Sequence, residues 1–170
     1  MNNATTHARQ LIQAIDAIAA TNGELANLAS HQRSAIAAMR HEDIHAIVQK
    51  QKLVGHTLAD AEDKRRQAAK DLTQSLGLHA STDIQDLARA LGTIEPTLGQ
   101  ALLDAATRAR HAIIDCQRQQ GVVHAAATSI VAHLDGLARQ VLAHLNKAGV
   151  YAATGAIAPA RIPRGVDIVS

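Results

Sequence analysis

Residues 95–149 read EPTLGQALLDAATRARHAIIDCQRQQGVVHAAATSIVAHLDGLARQVLAHLNKAG. Along them, apolar or small side chains return mostly in alternating steps of four and three: Leu98, Leu102, Ala105, Ala109, Ile113, Cys116, Gln120, Val123, Ala127, Ile130, Leu134, Leu137, Val141 and Leu145. A repeat near 3.5 residues keeps one stripe in line along a helix that coils around a neighbour. A strand would place its apolar residues every second position instead. Pro96 sits in the opening turn, where its missing N–H costs nothing. The spacing predicts one long helix over about 95–147, roughly 80 Å long at about 1.5 Å per residue. Gly121 and Gly136 are places where it could bend, and Gly149 lies past its end.

Working back toward the N-terminus, the same spacing occurs twice more. Leu11, Ile15, Ile18, Asn22, Leu25, Ala29, Gln32, Ile36 and Met39 line a first helix, expected over about 5–39 with Thr5 or Thr6 as its cap. Asn22 and Gln32 interrupt that stripe; a polar seam residue can fix register at some cost in stability. Asn22-Gly23 is also a candidate bend. Ile44, Ile47, Gln51, Val54, Leu58, Ala61, Arg65, Ala68, Leu72 and Leu76 line a second helix, over about 43–76, closed by Gly77. Between the two, Arg40-His41-Glu42-Asp43 is expected to turn, with Asp43 as cap; one continuous helix is the alternative, because no Gly or Pro marks a stop. Thr82 and Gln85 form a capping-box pattern for a short helix over 82–91, stopped by Gly92.

The fold class expected is therefore all-α: an antiparallel bundle of long, coiled-coil-like helices over residues 1–149. The last stretch, 150–170, carries Pro159 and Pro163 with Gly155 and Gly165, and is expected to be a flexible C-terminal tail. Composition agrees with long helices. The chain of 170 residues has no Trp or Phe and one Tyr, its first 95 residues contain no Pro, and Ala supplies much of the apolar content. Such a chain fits close packing along small-residue seams better than a compact globule, which needs large side chains to offset chain entropy.

Charge excludes some partners. The net charge is +2 with both signs interspersed, and the densest basic run, Lys64-Arg65-Arg66, follows Asp60, Glu62 and Asp63. Nucleic acid would call for a clustered basic face and aromatic stacking platforms, so none is expected as a partner. No apolar run reaches the length of a membrane span, and no signal peptide is evident at the start. Cys116 is the only cysteine, which suits a reducing compartment.

One catalytic pattern is present. His41-Glu42-Asp43-Ile44-His45 matches H-E-x-x-H, which on a helix sets two imidazoles on one face for zinc with Glu as base. No third ligand follows at a matching spacing, and no sheet is expected to hold a substrate. The other histidines are scattered, and no phosphate-binding glycine loop or nucleophile elbow appears. No enzyme, cofactor or metal is expected. The informative feature is the stripes themselves. Most such positions are simply core. Helices this long and this poor in aromatics are also expected to leave part of a groove uncovered, which an amphipathic helix from a partner would complete. Ile130, Leu134, Leu137, Val141 and Leu145 are the candidate surface, because they adjoin the tail.

Nearly the whole chain resembles the FlgN-type flagellar export chaperones. That family has a helical hairpin with an acidic turn, then a Lys, then Glu-x-x-Arg on the second helix; Asp43, Lys50 or Lys52, and Glu62 to Arg65 stand here. Leu76-Gly77 matches the family's helix end. Gln117, Gln119 and Gln120 stand where the family has an Asn-rich stretch. In the tail, Tyr151, Gly155 and Arg164-Gly165-Val166-Asp167 fit its pattern. The resemblance implies a cytoplasmic, non-catalytic chaperone of type III export. It would bind C-terminal helices of the hook–filament junction proteins FlgK and FlgL and deliver them to the export gate protein FlhA, with Tyr151 and Gly155 at the gate contact. The rival expectations are a structural coiled-coil adaptor or homodimerising scaffold and, more remotely, a zinc metallopeptidase.

Overall fold

The computed structural model describes residues 2–79 and 82–150, with side-chain surroundings for 3–79 and 82–144. Four helices follow one another: α1 (Asn2–Ala37), α2 (His41–Ser75), α3 (Ile84–Ile94) and α4 (Pro96–Val150). No strand occurs among the described residues, so the fold is all-α, as the heptad spacing predicts. The chain divides into two units, Met1–Ala126 and Ala127–Ser170. α1 crosses Asn22-Gly23 without a break.

The α1–α2 connection is shorter than its sequence suggests. Met39 takes φ +53°. Its N–H donates to the Ile36 carbonyl and the Arg40 N–H donates to the Ala35 carbonyl, each at 3.0 Å. This crossed pair is a Schellman motif, with a non-glycine residue in the left-handed position. α2 then starts at once, so His41, Glu42 and Asp43 form its first turn and not a loop. Asp43 does not cap it. The cap position is Arg40, without a side-chain cap bond, and Arg40 instead pairs with Asp43 at 2.9 Å. The same backbone motif closes α2, where Gly77 (φ +67°) donates to Gln74 and Leu78 donates to Thr73.

Left-handed backbone costs an L-residue about 1–2 kcal/mol, and Met39 is 61% exposed, so little packing compensates. Met39→Gly is expected to stabilise the protein by about 0.5–1 kcal/mol after the greater unfolded-state entropy of Gly is subtracted. A denaturation midpoint no higher than that of the parent would contradict this.

The first unit is built on the three stripes. Leu11, Ile15, Ala68, Leu72, Leu102, Ala105 and Ala109 pack in one cluster with Ala4 and Ala8. A second cluster joins Leu25, Ala26, Val54 and Cys116. Residues that rise together along α1 and α4 and fall along α2 make α4 parallel to α1 and antiparallel to α2. The exposed Arg108–Asp16 ion pair (2.7 Å) joins α4 to α1 in the same register.

The polar interruptions resolve in two ways. Gln51 Nε2 donates to Gln32 Oε1 at 2.9 Å, so the seam amides of α1 and α2 meet each other. Asn22 instead donates to the Ile18 carbonyl of its own helix, and Thr21 and Thr73 do likewise to Ala17 and Ala69. Register across the hairpin is therefore marked by the glutamine pair and not by Asn22.

α3 starts one residue later than the capping-box pattern implies. Asp83 is its N-cap and accepts the Asp86 N–H at 2.8 Å, while Thr82 Oγ1 donates back to the His79 carbonyl. Asp is as good a cap as Thr and carries charge that suits the positive helix end. Gly92 does not stop α3, which runs to Ile94. It lies where α3 and α4 touch: a Cβ on Gly99 would come 2.6 Å from the Ala88 carbonyl and 3.0 Å from Gly92 Cα. Leu87, Ala88 and Leu91 bury α3 into the first cluster.

Cys116 is 4% exposed within the second cluster. Burial, then the neighbouring Asp115 carboxylate, push its thiol pKa up. Thiolate is the reactive form, so a thiol reagent at pH 8 is expected to leave Cys116 intact in the native protein and to modify it fully in denaturant. Rapid modification of the native protein would contradict this placement.

Candidate partner-binding surfaces

The stripe on α4 changes character along its length. Leu102, Ala105, Ala109 and Cys116 are buried, while Gln120 is exposed. Val123 and Ile130 are half-covered, and beyond them the stripe opens to solvent. Leu134 is 53% exposed, Leu137 44% and Val141 57%. Val131 and Leu142 flank the stripe and are exposed as well. Scattered apolar residues on a surface need no explanation, but these stand in one row at heptad spacing. In this stretch the formal charges are Asp135 and Arg139, and Arg139 Nε donates to the Asp135 carbonyl at 3.3 Å. Of the residues expected to form this surface, Ile130, Leu134, Leu137 and Val141 lie together on α4. The side chain of Leu145 lies outside the described residues, as do Tyr151 and Gly155.

A second opening lies within the first unit and escapes the sequence. α3 has 11 residues against 35 in α2. Its Leu87, Ala88 and Leu91 join the core cluster of α1, α2 and α4, but it extends only about 16 Å, while α2 extends about 52 Å. At the Ile84 end of α3 a cleft of about 480 Å³ follows, with Ile15, Ile18, Ala109 and Ile113 among its walls. Glu62, Arg65 and Arg110 line it too, and Ile114 is 53% exposed. Arg65 Nε is held by Glu62 at 2.9 Å. The only sequence signal was α3's brevity, since Ile114 and Arg110 fall off the heptad stripe.

His41, Glu42 and His45 all lie exposed in the first turns of α2. No group of three or more His, Cys, Asp or Glu side chains converges among the described residues. No described helix is long and apolar enough to cross a membrane. No family model, curated protein or solved structure matches the chain.

Proposed function

We propose that this protein is a FlgN-like chaperone of flagellar type III export, acting in the cytoplasm by binding and not by catalysis. The observation that carries the reading is the heptad row that opens after the half-covered Ile130 to the exposed Leu134, Leu137 and Val141, in a helix whose earlier stripe positions Leu102, Ala105, Ala109 and Cys116 are buried. A junction protein of the FlgK or FlgL kind would lay the apolar face of its C-terminal helix there and be kept from self-association. Burying apolar side chains stabilises such a pair by about 1.5–3 kcal/mol per fully covered Leu or Val. The tail pattern of Tyr151, Gly155 and Asp167 supports hand-over to an FlhA-like gate.

Pull-down of a FlgK-like C-terminal fragment by the full chain tests the first half; no capture at micromolar concentration would count against it. For the second half, Tyr151→Ala is expected to weaken gate binding while leaving fragment capture intact. Equal loss of both would refute that division of labour.

A further inference from the structure

The cleft at the end of α3 makes a separate prediction about partners. α3 closes the core cluster of α1, α2 and α4 only over its own short length, and its first residue, Ile84, lines the cleft. Beyond that point the buried floor of Ile15 and Ile18 is reached through an opening walled by Ile113 and the exposed Ile114. The rim is asymmetric in charge. It carries two arginines, Arg65 and Arg110, against one carboxylate, Glu62, and that carboxylate is already engaged by Arg65. Arg110 is exposed and makes no ion pair among the described residues.

We propose that this cleft takes an amphipathic helix from a partner protein, with an apolar stripe on Ile113 and Ile114 and a flanking Asp or Glu against Arg110. The apolar wall supplies the affinity, because helix faces that dock in grooves do so through residues three and four apart. The unpaired guanidinium supplies selection, favouring an acidic flank and opposing a basic one. A second copy of this chain fits less well, since its own uncovered stripe over residues 127–144 carries a single carboxylate, Asp135. The inference does not rest on the chaperone reading, which uses a different face.

The test uses the full chain carrying Leu134→Asp and Leu137→Asp, so that the α4 row is silenced. The probes are two fluorescein-labelled amphipathic peptides of about 18 residues, five helical turns, with Leu on the stripe and either Glu or Lys on the flanks. Fluorescence anisotropy is expected to show saturable binding that favours the Glu peptide. Adding Ile114→Asp should weaken it about tenfold, and Arg110→Glu should reverse the preference between peptides; both residues are exposed, so circular dichroism should not change. Three results would overturn the proposal: no binding of either peptide, binding indifferent to both substitutions, or light scattering showing a peptide-free dimer that Ile114→Asp dissociates.

Discussion

Leu102→Ala is expected to lower the unfolding free energy by about 4 kcal/mol and the melting midpoint by roughly 10 °C. Leu102 is fully buried in the cluster that also holds Ala4, Ala8 and Leu11 of α1 and Ala88 and Leu91 of α3. Removing its side chain loses transfer free energy and leaves a cavity, whose cost depends on how far neighbours collapse into it. Several neighbours are alanines with no side-chain torsion to turn, so the hole stays open and the cost lies near the upper end of the range. Leu134→Ala removes the same atoms from an exposed position and should change stability by no more than about 0.5 kcal/mol. Thermal melts of the two variants side by side test this; equal effects would mean that the α4 stripe is not buried and exposed where the structure places it.

Gly99→Ala is expected to destabilise by about 2 kcal/mol, although Ala is the better helix former by about 1 kcal/mol. The added methyl would meet the Ala88 carbonyl and the Gly92 backbone, neither of which can swing aside. α3 and α4 must separate, and Leu87 and Leu91 lose their packing. Gly55→Ala is the control, because nothing lies within 4 Å of its added Cβ; it should gain stability by about 0.5–1 kcal/mol. The opposite signs are the prediction. Stabilisation by both substitutions, in urea titrations, would show that the α3–α4 contact is looser than described.

The heptad stripes made most of the fold legible. Along the first stripe every residue from Leu11 to Ile36 is buried or half-covered, and only Met39, past the end of α1, leaves the seam. Met39 is also where the reading of the turn stopped short, since the left-handed cap that usually announces itself as Gly is taken here by a methionine. Gly92 shows the reverse error. A glycine in a helical pattern can mark a stop or a close approach, and only packing tells which.

The sequence was least informative about coverage. From Leu98 to Val141 the stripe on α4 keeps one spacing, yet it is buried or half-buried before Gln120 and open after Ile130. A heptad states that a face seeks a partner, but not whether the same chain supplies it. For the same reason the cleft beside Ile114 left no periodic trace, since it exists because α3 ends.

On the proposed function, the open row on α4 receives a guest helix. Isothermal titration of a FlgK-like C-terminal fragment into the full chain and into its Leu134→Asp, Leu137→Asp variant tests it most directly. Binding to the parent is expected, with at least about a hundredfold weaker binding to the variant and both proteins melting at the same temperature. Equal affinity for the two proteins would contradict it.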